Sequence, residues 1–240
     1  MPKNNFDIIM LLGRPASGKS EVIDYLKKTT VEERLRRFHM EKFEEIDDFP
    51  MLWTWFEEDA ILEKIMKKPR INTDKDGYFL YDYQWHLLIE RISLDYSKKL
   101  RDHEDYHSEY TALLEFSRGS EHGGYQAACD HLSEEILKKA AIVYVDVSYE
   151  ESKRKNRRRF NPDKPDSILE HGLPDEKLER LYKEVDWEDM SAADPQYVSI
   201  KGFKVPYVIF RNEPEITDNP VELGNHLEEI LQKLWETRKQ

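Results

Sequence analysis

Eight residues near the start of the chain, Gly13-Arg14-Pro15-Ala16-Ser17-Gly18-Lys19-Ser20, sit between the apolar run Phe6 to Leu12 and the amphipathic stretch Lys19 to Lys28. A buried strand that ends in G-x-x-x-x-G-K-[ST] and turns directly into a helix suits one task. The glycines let the backbone bend so that its N–H groups ring a phosphate, and the helix N-terminus adds its positive end. Lys19 can then reach the outer phosphates while Ser20 offers a hydroxyl to Mg²⁺. All eight residues are therefore expected to bind nucleotide, with ATP and Mg²⁺ as the ligands.

The rest of the chain agrees with the parallel sheet that such a loop needs. Apolar runs at Tyr110 to Phe116, Ala141 to Val147 and Val205 to Phe210, and a weaker one at Lys42 to Ile46, read as buried strands. Helical patterns separate them, at Trp53 to Lys67, Tyr83 to Arg101, Tyr125 to Lys139, Glu150 to Arg159 and Asp175 to Glu184, and Val221 to Thr237 closes the chain. This alternation predicts one α/β domain over residues 1–240, a three-layer core around a five-stranded parallel sheet with right-handed crossovers. Residues 49–108 are too many for a simple crossover and read as a helical insertion over the carboxyl edge of the sheet, with a turn at Thr73 to Gly77.

Charge narrows the partners. A net charge of −12 opposes a broad nucleic-acid or anionic-membrane surface. No stretch approaches the roughly 20 apolar residues needed to span a bilayer, and the N-terminal residues lack a signal-peptide pattern, so cytoplasm is the expected location. The single cysteine, Cys129, fits a reducing compartment and reads as a buried helical thiol.

On the glycine loop and on Glu115-Phe116-Ser117-Arg118, which ends the strand Tyr110 to Phe116, the chain resembles P-loop nucleoside and nucleotide kinase-like proteins, the branch that includes adenylate, shikimate and deoxynucleoside kinases. The resemblance implies that Glu115 orients Mg²⁺ through water or takes the proton of an acceptor hydroxyl, and that Arg118 binds a phosphate. It also implies that Asp47 or Asp48, at the end of Lys42 to Ile46, meets the acceptor or the metal. By the same resemblance residues 150–173 form a lid. Within it Arg154 and Arg158, which share a helix face, with Arg157 beside them, would close over the triphosphate, and Asn161 to Leu173 would be the mobile part. Asn212, in Arg211-Asn212-Glu213-Pro214, takes the position of an adenine contact, made through its side chain or its backbone. No single family covers the chain from end to end, and the insertion is unmatched.

The insertion is rich in aromatics: Trp53, Trp55, Phe56, Tyr78, Phe79, Tyr81, Tyr83 and Trp85. Each could simply pack the insertion on the core, or together they could wall a planar acceptor. Arg91 could meet a phosphate or pair with nearby acids. His103 and His107, four apart, lack a third ligand at metal spacing and read as solvent-facing, and His171 reads as incidental.

These features together predict a kinase that moves the γ-phosphate of ATP to a small-molecule acceptor: nucleoside, nucleotide or small alcohol. Lys19, Glu115, Arg118, Asp47, Arg154 and Arg158 would carry the reaction, and Ser20 and Glu115 would hold the metal. The alternative is a regulatory ATPase or switch whose aromatic insertion binds a protein. No N-K-x-D guanine-reading tetrad is present, and nucleic-acid end processing has support only from the basic run at 153–159.

Overall fold

The computed structural model describes residues 4–159 and 172–238. Most of the expected mobile segment, with Pro162, Pro165 and His171, therefore lies outside the described residues.

Strand β1 (Ile8–Gly13) is buried along its whole length and runs through the phosphate-loop sequence into α1 (Lys19–Lys28). Helix α2 (Val31–Phe38) follows, started by Thr30, whose hydroxyl accepts from Glu33 N–H at 3.3 Å. Next come β2 (Lys42–Asp47), α3 (Phe49–Lys64), α4 (Tyr83–Asp102), the short α5 (Tyr106–Glu109) and β3 (Tyr110–Phe116). A 3₁₀ turn (Ser120–His122), α6 (Gly124–Asp130) and α7 (Glu134–Leu137) lead to β4 (Ala140–Asp146). Then follow α8 (Tyr149–Arg159), α9 (Asp175–Tyr182), α10 (Trp187–Ser191), β5 (Tyr197–Ile200), β6 (Phe203–Arg211) and α11 (Pro220–Arg238).

The sheet order is β2-β3-β1-β4-β6-β5. The five expected strands are parallel, and β5 adds a sixth, antiparallel to β6 at the edge. It joins β6 through Lys201-Gly202, both at positive φ (51° and 84°), the conformation a two-residue hairpin with right-handed strand twist requires. The expected helix Tyr125 to Lys139 is two helices, because the Ser133 hydroxyl accepts from Ile136 N–H and caps a new one.

Alternating side chains of the sheet feed two cores. Ile9, Leu11, Leu113, Val143 and Phe210 pack with α1, α2 and α11, including Phe38 and Trp235. Ile8, Met10, Leu12, Leu114 and Tyr144 pack with α4, α6 and α10, where Trp187 stacks on Tyr144 at 4.3 Å. Cys129 is buried in this second core, and burial pushes its thiol up to about 12, which makes it inert. His107 departs from its expected solvent-facing place: its imidazole meets the Tyr96 hydroxyl at 2.7 Å and the Tyr110 carbonyl at 3.2 Å, so it serves packing beneath β3. Arg91 pairs with Asp95 at 3.0 Å, one turn along α4.

Helices α3 and α4 follow the carboxyl end of β2. The connection between them is organised by Asp59 of α3, a wholly buried carboxylate that accepts from the N–H groups of Ile71, Asn72 and Thr73 and from the Thr73 hydroxyl. A third apolar cluster, with Trp55, Trp85, Leu88, Leu178 and Tyr182, joins these helices to α9. Among the described residues no helix is long and apolar enough to cross a membrane.

Candidate active site

The loop from Gly13 to Ser20 is held by contacts the motif does not reveal. Gly13 ends β1 with its N–H donating to the Tyr125 hydroxyl at 3.1 Å, and a Cβ there would stand 2.6 Å from the Val145 carbonyl, so only glycine fits. Gly18 opens α1 at φ 116°, and a Cβ there would run into the Asn212 amide. Asn212 is fully buried. Its amide N–H donates to the Ser17 carbonyl (2.7 Å) and the Thr217 hydroxyl (3.2 Å), and its amide oxygen accepts from Ile216 N–H (2.9 Å). Its side chain therefore braces the loop.

Arg14 also turns away from the phosphate position. Its guanidinium donates to the carbonyls of Val147 (3.0 Å), Tyr182 (3.2 Å) and Lys183 (3.1 Å), which straps the loop to β4 and α9. The Ser152 hydroxyl of α8 donates to the Pro15 carbonyl at 2.7 Å. Ser17 Oγ, by contrast, is buried inside the loop with no hydrogen-bond partner among the described residues. An unmatched polar atom at that point is what a loop built to receive phosphate oxygens leaves open.

Lys19 is buried, and its ammonium donates to the carbonyls of Gly13 (3.1 Å) and Arg14 (3.0 Å) and to the Ser117 hydroxyl (2.8 Å). It stands 3.8 Å from Glu115 Oε1. Burial lowers its proton affinity, and Glu115, Asp47 and Asp48 oppose that shift. The sheet register explains the gathering: Asp47 lies directly beside Glu115, and Glu115 beside Leu11, so the carboxyl ends of β2 and β3 bring two acids to the loop that follows β1. Asp47 is pushed up to about 8, by burial first and then by Asp48 and Glu115, while Phe49 N–H donates to it at 2.9 Å. Burial likewise raises Glu115, with Lys19 pulling the other way.

Arg118 and Asp48 form a buried ion pair at 2.6 Å. Arg118 also donates to the carbonyls of Ser117 (2.7 Å) and Trp85 (3.1 Å), and its guanidinium lies 5.3 Å over the Trp85 ring. The arginine expected to take a phosphate thus joins β3 to α4.

Asp47, Asp48, Glu115, Ser117 and Arg118 line one cavity of about 720 Å³ together with Pro15 and Ser20 of the loop, and Lys19 adjoins it through Ser117 and Glu115. One end holds Pro15, Ser20, Asp47, Glu115 and Ser117, and the other is walled by Leu52, Trp53, Phe56, Phe79 and Trp85. Among the described residues no three acids, histidines or cysteines are placed to hold a metal ion by themselves. The Ser20 hydroxyl and Glu115 carboxylate are hard oxygen donors on the same cavity, a set that suits Mg²⁺ carried mainly by phosphate oxygens and water.

The face of α8 that reaches the cavity differs from the expected one. Arg154 and Arg158 are half exposed and pair with Glu215 at 2.9 and 2.8 Å, Arg154 also with Glu151 and Arg158 with Asp218. Neither lines the cavity, whereas Asn156 and Arg159 do, and Arg159 lies close enough to act electrostatically on both Lys19 and Glu115. Asn156 exchanges two hydrogen bonds with Leu173, and Arg157 pairs with Asp175. Ser152, Asn156 and Arg159, at spacings of four and three, mark the inward stripe, and that polar spacing was the available signal.

No protein-family model and no curated protein matches the chain. Solved structures that it resembles include a sugar kinase from a Janibacter species, at 10% identity over 95% of both chains with a TM-score of 0.41. A gluconokinase from Sinorhizobium meliloti is 15% identical over 98% of both chains, with a TM-score of 0.45. Shikimate kinase from Acinetobacter baumannii, in complex with shikimate, is 16% identical over 74% of this chain and 76% of its own, with a TM-score of 0.34. At these scores the likenesses carry no argument, and the chemistry of the site rests on its own geometry.

Proposed function

We propose that the chain is an ATP-dependent phosphotransferase that moves the γ-phosphate to a hydroxyl of a small molecule. The observation that carries this reading is one cavity lined by Pro15 and Ser20 of the phosphate loop, by two in-register carboxylates and by aromatic rings, with the buried Lys19 3.8 Å from one of those carboxylates. The loop N–H groups and Ser17 would receive the β- and γ-phosphates, and Lys19 would move from its loop carbonyls onto them. Ser20 and Glu115 would hold Mg²⁺, which supplies charge neutralisation on the phosphate oxygens.

Asp47 lies one strand further from the loop and has the raised proton affinity a base needs, so it is the group proposed to take the acceptor proton. The acceptor oxygen then bonds to the γ-phosphorus as the bond to the bridging oxygen breaks, and ADP leaves with that electron pair. Arg159 is the cation on α8 best placed to meet the charge spread over the transferring oxygens. In this reading residues 49–108 form the acceptor-side insertion and residues 150–173 the lid region.

A regulatory ATPase is the second reading. It is favoured by the exposed apolar side chains Ile61, Ile65, Met66 and Ile71 at the far end of the insertion. ADP release from Mg·ATP, measured against a panel of nucleosides, nucleotides and polyols with Lys19→Ala as the blank, separates the two. Stimulation by one compound that the variant loses establishes the kinase. ATP binding with no stimulation refutes it in favour of the switch.

A further inference from the structure

Arg14 joins the phosphate loop to the elements that wall the far end of the cavity. Its guanidinium donates to the carbonyls of Tyr182 (3.2 Å) and Lys183 (3.1 Å), which close α9, and of Val147 (3.0 Å), which follows β4. The last carbonyls of a helix have no partner within it and carry its negative end, so a cation placed there caps α9 and fixes where it stops. Beyond α9, Asp186 accepts from Tyr125 and Gln126 N–H at 2.7 and 2.9 Å, so the chain that follows has an anchor of its own.

From its capped end α9 runs along the cavity. Leu178, Leu181 and Tyr182 share a buried cluster with Trp55 and Trp85, and Leu181, Tyr182, Lys177 and Arg180 line the space. Lys177 donates to the Gly77 carbonyl at 3.2 Å, and Lys177 and Arg180 lie 5.0 and 4.3 Å over the Tyr78 ring. Beside Tyr78, Phe79 meets Trp55 at 5.6 Å and Trp85 at 4.8 Å. Each step from the loop to the aromatic wall is therefore a direct contact: Arg14 to α9, α9 to Tyr78, and Phe79 to the tryptophans.

Lys19 supplies the event at the near end. Its ammonium donates to the Arg14 carbonyl at 3.0 Å, and Ser17 N–H donates to the same oxygen at 3.2 Å. A phosphate in the loop competes for that ammonium, so a nucleotide acts on the main chain of the residue whose side chain holds α9. An ammonium with two positions, joined to a guanidinium strap, is an element that can be biased from either end.

We infer that Arg14 is a positioning residue that couples the two ends of the cavity: nucleotide at the loop orders α9 and, through Lys177 and Arg180, the Tyr78 and Phe79 part of the wall. This coupling rests on the kinase reading for nucleotide binding alone. By reciprocity, a ligand that orders the same wall tightens the nucleotide by the same factor.

Mg·ADP is the probe, and the readout is amide hydrogen exchange of the intact chain, followed by mass spectrometry at a Mg·ADP concentration shown by calorimetry to saturate each protein. In the parent, Mg·ADP should slow exchange about fivefold or more at residues 13–28, 175–183 and 77–85, the low end of ordinary coupling between sites. Arg14→Ala, checked for folding by circular dichroism, should keep the slowing at 13–28 and lose it in the other two stretches. Arg14→Lys, whose single ammonium cannot span three carbonyls, should keep part of it. A purely structural Arg14 would instead speed exchange in α9 equally with and without nucleotide, and an unchanged ratio in Arg14→Ala overturns the inference. Lys177→Ala combined with Arg180→Ala cuts the far link and should confine the slowing to 13–28 and 175–183, which tests the path even where Arg14→Ala does not fold; slowing that persists at 77–85 in that protein overturns it too. Mg·ADP bound with no slowing in α9 of the parent overturns the coupling and leaves the kinase reading standing, whereas no binding of Mg·ADP sinks the kinase reading and the coupling with it.

Discussion

Replacing Asp59 by Asn tests whether one carboxylate organises the acceptor side of the molecule. Asp59 accepts from Ile71 N–H at 2.8 Å on one oxygen and from Thr73 N–H at 2.6 Å and the Thr73 hydroxyl at 2.7 Å on the other, with Asn72 N–H 3.1 Å from the second oxygen. Burial raises its proton affinity, but the hydrogen bonds from Ile71, Thr73 and Asn72 outweigh that and hold it below the usual carboxylate range. An asparagine keeps the shape but turns one oxygen into an NH₂ group. Whichever way the amide points, one backbone N–H, of Ile71 or of Thr73, faces another donor, and the remaining bonds lose their charge assistance. A stranded buried donor costs about 1–3 kcal/mol and the lost charge about 1 kcal/mol more, so the expected loss is about 2–4 kcal/mol. For a chain of this length that lowers the melting temperature by roughly 5–15 °C, read by circular dichroism. The 65–82 connection carries Tyr78 and Phe79, so the functional loss should appear as a higher KM for the acceptor with ATP affinity retained. An Asp59→Asn protein that melts within about 2 °C of the parent would refute the reasoning.

Glu215 is held at about 2 because Lys155, Arg158 and Arg154 outweigh its burial; its folded value lies below its unfolded one, so its contribution to stability is complete above pH ~4.5 and is lost as pH falls towards 2. Glu215→Gln should flatten this part of the acid unfolding profile, and an unchanged acid limb counts against the cluster. Arg159→Ala should lower kcat by roughly 10³-fold, the low end of what transition-state arginines contribute, while Arg154→Ala stays within about 3-fold; equal losses in steady-state assays would return the lid role to the outer face of α8.

The sheet was legible because parallel strands buried on both faces read as continuous apolar runs, and Ile8–Gly13 and Tyr110–Phe116 are such runs. Residues Tyr197–Ile200 escaped because a four-residue edge strand carries little hydrophobic pattern, although Lys201-Gly202 was a hairpin signal. Helix α2 escaped too, despite Thr30 and Glu33 at capping-box spacing. Within the site, Lys19, Ser20, Asp47 and Glu115 could be found because a strand end and a loop motif are local in sequence. The partners of Arg118 and Asn212 could not, since Asp48, Trp85 and Ser17 are brought to them by tertiary packing.

The arginines of α8 show where such reading stops. A helix basic on most of its faces has no hydrophobic stripe to orient it, so charge spacing alone cannot say which arginine points inward. Its rotation is set by two small polar residues, Ser152 against the Pro15 carbonyl and Asn156 against Leu173. Those bonds turn Arg159 toward the cavity and leave Arg154 and Arg158 to Glu215, whose segment follows the Asn212 that braces the loop. The outer arginines therefore tie α8 to the support of the phosphate loop, so substituting them should act through the position of the helix, and substituting Arg159 should act on the transferring phosphate.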